Sequence, residues 1–309
     1  MKTVASGSPF AASSAEMFDP RVVEPAVDLL AGPAGDGGRA LEFGAGTGRV
    51  ALPLAARGVA VHGIGMSRAM VERLRAKPGG DGIGVTIGDF ATAKAEGTFS
   101  VAYLVHNTIM NLTSQDTQVD RFRNAAVQLE PGGCFVVEAG VPDPRRLPPG
   151  QNAVPFRVGE GRRGSDLYDV AGQSVTSHHV SVRDGRGSYL AVPFRYVWPA
   201  EPDLMARLAG MRLRERREGW TREPFTSESR QHVSVWEKVA GRGGRRSPVV
   251  GSPPHQAVEA VARRPCPGRE RREVPEACGQ GARVRVPPER LDAVCRVSAP
   301  GTAIDQRFG

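Results

Sequence analysis

The 309-residue chain reads as an α/β protein whose parallel sheet carries helices on both faces and is interrupted late by an antiparallel insertion. Three observations predict this. Short β-rich runs alternate with amphipathic segments of helical period from Pro20 to Ala139, an order that needs crossovers and hence parallel strands. A glycine-rich turn, Gly44-Ala45-Gly46-Thr47-Gly48, joins the first strand to the next helix. From about Pro144 to Pro199 the helical period is lost, and alternating runs flank a glycine-containing turn, which predicts a hairpin.

Residues 20–31 (PRVVEPAVDLLA) hold apolar side chains at helical spacing and stop at Gly32 and Pro33. The run 39–44 is a short strand closing in glycine, and 49–57 is a helix with Gly58 as its stop. A strand over 59–64 follows, then a helix over 67–76 with Ser67 as N-cap. Strands at 83–88 and 99–105 precede a helix over 115–129, which Glu130-Pro131-Gly132-Gly133 ends. The fifth strand is 134–139. In the insertion, 175–182 and 189–198 are strands joined through 183–187. A helix over 201–209 and an antiparallel pair, 211–218 with 231–239, complete the body.

Composition divides the chain near residue 240. Residues 240–309 hold 13 Arg, no Lys, 7 acidic residues, 9 Gly, 9 Pro and one aromatic, Phe308, so +6 of the net +8 resides there. Such a stretch buries too little apolar surface to offset its ordering entropy and reads as a disordered basic tail. Nucleic acid is therefore not an expected partner, the basic tail being the only part of the chain through which it could bind. Residues 1–14 read as a flexible N-terminus and 15–239 as one folded domain with its cap at about 144–199. No apolar run approaches the ~18 residues of a membrane span. The first 17 residues have no continuous apolar stretch typical of a secretion signal. Of four cysteines only Cys134 lies in the body, and those of the tail lack CxxC spacing, so neither a disulfide scaffold nor a metal site is expected, and the cytoplasm is the expected compartment.

The chemistry is carried first by Leu41-Glu42-Phe43-Gly44-Ala45-Gly46-Thr47-Gly48. Glycines let the turn bring backbone against a ligand, and the following helix aims its N–H groups there. The spacing is GxGxG, with Arg49 where the dinucleotide fingerprint GxGxxG has its third glycine, so a nicotinamide-dependent oxidoreductase is disfavoured. Glu42, two before the first glycine, would repel a diphosphate and suits a cationic, amino-acid-like ligand.

With these landmarks, with Gly63-Ile64, Ser67 and Met70 after the second strand, Gly88-Asp89-Phe90 after the third, and Leu129–Gly133 before the fifth, the region 15–239 resembles the class I, Rossmann-like S-adenosylmethionine (SAM)-dependent methyltransferases of small-molecule type. The resemblance implies a seven-stranded 3-2-1-4-5-7-6 sheet with its last strand antiparallel, SAM as cofactor, and methyl transfer to oxygen or nitrogen of a small metabolite. It places Glu42, Gly44, Ala45 and Gly46 at the methionine half of SAM, Gly65 and Met66 at the ribose, Asp89 and Phe90 at the adenine, and Val105 beside the sulfonium. In the family an acidic residue usually closes the second strand and accepts both ribose hydroxyls; here Gly65 stands there. Losing that acceptor costs about 1.5–3 kcal/mol, or one to two decades of affinity. The alternative is thus an impaired or non-catalytic SAM- or nucleoside-binding protein.

Methyl transfer mainly requires an acceptor in line and water excluded, with a base for a hydroxyl or an ammonium. His106, directly after the fourth strand, is the candidate base. His178 and His179 alternate faces of the inserted hairpin, whereas Phe194, Tyr196 and Trp198 share one face of their strand and are expected to pack. A cap between the fifth and sixth strands of the sheet favours a small acceptor over a protein. The series Arg212, Arg214, Arg216, Arg217 reads as a solvated face.

Overall fold

A computed structural model describes residues 20–240 apart from 36, 184 and 185. The expectations for 1–14 and for the tail, Ala240 apart, lie outside the described residues. Helix α1 (Pro20–Ala34) precedes β1 (Arg39–Phe43), α2 (Ala51–Ala56), β2 (Ala60–Gly65), α3 (Arg68–Arg75), β3 (Gly84–Ile87), β4 (Phe99–Leu104), α4 (Gln115–Gln128) and β5 (Leu129–Gly140). Strands β6 (Ala153–Gly159), β7 (Arg162–Asp169), β8 (Ser174–Arg183) and β9 (Arg186–Arg195) follow, then α5 (Ala200–Leu208), β10 (Met211–Arg217) and β11 (Gln231–Lys238). Among the described residues no helix is long and apolar enough to cross a membrane.

The main sheet runs β10-β11-β5-β4-β1-β2-β3. Strands β1 to β5 pair in parallel, and β11 is antiparallel to both β5 and β10. This is the expected 3-2-1-4-5-7-6 order. Alternation sends Leu41, Phe43, Phe135 and Val137 into one core with α4 and α5, and Ala40, Tyr103, Val136 and Val235 into a second core with α1 and α2. In the first, Phe122 meets Phe135 and Trp236 edge-to-face at 5.1 and 5.3 Å. Both faces are covered, which is why these strands read as continuous apolar runs. Ser67 caps α3 as expected, its hydroxyl accepting from Met70 N–H at 3.3 Å.

Several expectations need correction. The insertion holds four strands, not two: β6-β7-β8-β9 form a separate antiparallel sheet. Strands β6 and β7 escaped notice because they are mostly solvent-exposed, so their apolar residues do not alternate. The turn between them places Gly161 at φ +71°. Strand β9 ends at Arg195, so Tyr196 and Trp198 do not share a strand face with Phe194. Buried Arg195 ends the strand by leaving for the body: it bonds Glu201 and Gln173, each at 2.9 Å, and Gln118 of α4. Strand β5 begins at Leu129 rather than Cys134, because Leu129 already pairs with Phe99 and the Glu130–Gly133 segment bulges out, with Gly132 at φ +82°. Helix α2 starts at Ala51, after the glycine turn has taken up Arg49 and Val50. Arg216 is not on a solvated face; it is held by Asp203 at 2.7 Å, Ser234 and the Pro199 carbonyl.

Candidate functional site

Because β1 to β4 run parallel, their C-terminal ends share one edge, and the residues expected at the cofactor, with His106, lie in or just after those strand ends. Glu42 is the penultimate residue of β1 and 3% exposed. It points to the α1 side, opposite Tyr103 of β4, whose hydroxyl donates to Glu42 Oε2 at 3.3 Å. Burial pushes the Glu42 carboxyl up to about 8, against the opposing pull of Tyr103, the Ala51 backbone and the Arg49 charge. The same burial, with the Glu42 charge, raises the Tyr103 phenol.

The turn after Glu42 is locked onto β2. Gly44 N–H and Ala45 N–H both donate to the Ile64 carbonyl, at 2.8 and 3.2 Å. Gly44, Gly46 and Gly48 all have positive φ, and a Cβ on Gly48 would lie 2.2 Å from Leu74. A Cβ on Gly63 would lie 2.6 Å from that of Ala45, so β2 needs glycine there for the turn to pack. Gly65 ends β2, its carbonyl accepting from Gly88 N–H at 3.1 Å, and a Cβ there meets nothing within 4 Å. Met66 beside it is 41% exposed. Asp89 is exposed; its Oδ1 accepts from Ala91 N–H at 2.9 Å, the turn-forming role of such a residue. Phe90 packs against the first core, and Val105 is buried just beyond β4.

Beyond Val105 the chain turns sharply. His106 and Asn107 both have left-handed backbones, φ +55° and +56°. Two side-chain contacts with β5 hold them. His106 N–H donates to Glu138 Oε2 at 2.6 Å, and Asn107 Oδ1 accepts from Gly140 N–H at 3.0 Å. Glu138 Oε1 accepts from the Trp220 indole at 3.0 Å. The His106 imidazole, 43% exposed, has Nδ1 4.0 Å from Glu138 Oε2. Partial burial lowers its pKa, with Glu138 opposing and Arg49 reinforcing that shift.

Sequence reasoning missed Tyr103, Glu138 and Trp220. A signal existed for Glu138: it is the one charged residue in the apolar run Cys134–Ala139, as Glu42 is in the run Ala40–Phe43. His178 and His179 do not join this group; His178 bonds Tyr189 at 2.5 Å and His179 lies by Ser177 and Phe156, all within the cap.

Known proteins share this domain and its fold. Residues 40–133 match a family described as methyltransferase domain. The cypemycin N-terminal methyltransferase of a Streptomyces species is 28% identical over 208 residues, 66% of this chain and 84% of that protein. The CcbJ methyltransferase of Streptomyces caelestis is 34% identical and superposes with a TM-score of 0.67 over 76% of this chain and 98% of its own. SAM-bound CalS10, an amino pentose methyltransferase from Micromonospora echinaspora, shares the fold at TM-score 0.57 and 20% identity, over 77% of this chain and all (100%) of its own. With this sheet order, this glycine turn and the 34% identity to CcbJ over nearly all of its length, the chain belongs to the class I SAM-dependent methyltransferases and is an enzyme with SAM as its cofactor.

Proposed function

We propose that the enzyme methylates an amine nitrogen of a small molecule, with His106 as the base that frees the nitrogen lone pair. The observation that carries this reading is the His106 imidazole itself. It stands half-exposed at the end of β4, and burial and Arg49 lower its pKa, which leaves it neutral near pH 7. An alkyl ammonium must lose a proton before its nitrogen can attack, and a neutral imidazole within reach is suited to take it. The relative named for N-terminal methylation supports nitrogen over oxygen.

The chain's own residues fit the cofactor. Gly44 has φ +77°, and a Cβ on it would come within 3.3 Å of Thr108, so the turn keeps this course at the strand end only while glycine stands there. Glu42, Gly44, Ala45 and Gly46 would hold the amino-acid half, with Glu42 facing a cation; Gly65 and Met66 would border the ribose, and Asp89, through its oxygen not engaged by Ala91, and Phe90 the adenine. When bound, the cofactor would supply an electrophilic methyl group on a sulfonium, a leaving group that keeps the bonding pair, so the chain's residues need only orient the acceptor and take its proton. Val105, buried just beyond β4, would border that group, and His106 would accept the proton from the acceptor. The cap sheet β6–β9, fixed to the body through Arg195, favours an acceptor small enough to lie beneath it.

Mass spectrometry of a panel of small amines and matched alcohols, incubated with enzyme and SAM, tests this. Methyl gain confined to amines is expected; gain on the alcohols alone would overturn the nitrogen assignment.

A further inference from the structure

Glu138 is a carboxylate in a strand that is otherwise apolar over 134–139, and its partners are unusual. One oxygen accepts the backbone N–H of His106 and the other the indole N–H of Trp220, from a segment 82 positions away. Among the described residues, four non-glycine residues have positive φ, and two of them are the adjacent His106 and Asn107. Each is tied to β5, one by Glu138 and one through Gly140. A left-handed pair of ordinary residues persists only where its surroundings impose it. Here β5 imposes it.

We propose that Glu138 is a positioning residue for methyl transfer: it fixes the His106 turn at the end of β4 and sustains the imidazole as a proton acceptor, with Trp220 holding the carboxylate in place. This rests on the reading of His106 as the base. The geometry assigns the two ring nitrogens different neighbours. Nδ1 lies on the Glu138 side at 4.0 Å, which leaves Nε2 to meet the acceptor. An imidazolium formed there faces Glu138 from β5 and Arg49 from the turn before α2; the first stabilises it and the second opposes it. Only a carboxylate serves both N–H donors. A glutamine in its place has one acceptor oxygen and turns an NH2 toward the other donor.

The test is carried out on the full chain. His106→Ala first establishes the base: a wild-type rate in that variant would end the base reading on its own. With the base established, Glu138→Gln is expected to lower the His106 titration midpoint, followed by NMR of the imidazole, by about one pH unit. The acid limb of kcat/KM should move to lower pH by the same amount, and kcat should fall roughly tenfold or more. SAM affinity by calorimetry should stay within about twofold, since Glu138 lies on the acceptor side. A merely structural carboxylate would lower the plateau and leave the limb and the midpoint in place, and that result overturns the proposal. Should Glu138→Gln fail to fold, Glu138→Asp keeps the charge with a shorter reach. An intermediate kcat is then expected, and a wild-type kcat with a wild-type limb would overturn the assignment.

Discussion

The two halves of the sheet's C-terminal edge are built from different materials. On β1, β2 and β3 the surface offered to a ligand is largely backbone: Gly44 and Gly46 at positive φ, Gly65 with open space where a side chain would stand, and Gly88 bonded back to Gly65. On β4 and β5 it consists of side chains that hold one another, with Glu138 and Asn107 bridging the strands and Trp220 reaching in from beyond β10. A backbone cradle binds whatever shares its shape and hydrogen-bond pattern, which suits a cofactor common to a family. A side-chain network can be rebuilt without disturbing the cradle, which suits an acceptor.

If that division is real, the halves should fail separately. His106→Ala should cost roughly 10²–10⁴ in kcat, the usual contribution of a positioned base, with SAM affinity unchanged. Stopped-flow rates and calorimetry on one preparation would show it. A parallel loss of SAM affinity would break the division, because the base would then also be part of the cradle.

The complementary experiment acts on the other half. Gly65 stands where an acidic residue would accept the ribose hydroxyls, and a Cβ there meets nothing within 4 Å. Its φ is not left-handed, so an aspartate enters without backbone strain. Gly65→Asp is expected to tighten SAM roughly 10–100-fold, the worth of a charge-assisted pair of hydrogen bonds. The same affinity in the variant would mean that backbone or water already satisfies the sugar.

This contrast also explains what could be read in advance. The cradle is encoded by residues a few positions apart, Glu42 to Gly48 and Gly63 to Gly65, and its glycines are needed for reasons that show in spacing. The strand order came from the family resemblance that these landmarks carry, and the sheet has it. Glu138, by contrast, matters through His106, 32 positions earlier, and Trp220, 82 positions later, and no local pattern reports such contacts. Strands β6 and β7 were illegible for another reason: alternation appears only where one face is buried, and both of theirs are largely exposed. Arg216 looked solvated because its neighbours Arg212 and Arg214 are, while its partner Asp203 lies on α5.

Glu42 sharpens the comparison further, because of the cradle's two carboxylates it is the buried one. Its carboxyl is raised to about 8 by burial, so the cofactor-free protein carries it protonated at neutral pH. The folded state then keeps a proton that the unfolded state releases near its ordinary 4.5, and stability falls as pH rises from about 4.5 to about 8. Glu42→Gln should flatten that slope in thermal melts. A cationic ligand favours the ionised form, so SAM binding near pH 7 should expel close to one proton, seen by calorimetry in buffers of different ionisation enthalpy. Affinity should weaken by at most about tenfold per pH unit below that midpoint. Proton-neutral binding would place the ligand's charge away from Glu42.

The smallest effect concerns what supports the cradle from below. On the inner face of α4, Asn124 donates to the Ala91 and Ala93 carbonyls at 3.2 and 2.8 Å, and Gln128 accepts from Ala95 N–H at 2.7 Å, so the helix holds the loop that follows Asp89. Arg121 lies one turn earlier on that face, fully buried, with none of its side-chain nitrogens hydrogen-bonded among the described residues. Its guanidinium carbon sits 3.3 Å above the Phe43 ring. Burial pulls its pKa well down, with the attraction of Asp89 as the counterforce. A buried cation with a ring and one distant carboxylate for company recovers less than it loses on leaving water. Arg121→Met removes the charge and leaves a shorter, unbranched apolar chain among the same core neighbours. It should therefore stabilise the cofactor-free fold by about 1 kcal/mol, a rise in Tm of roughly 2–4 °C. A lower Tm instead would show that the guanidinium, through Phe43 and Asp89, is part of what holds the nucleotide half together, and that this half too depends on a side-chain network.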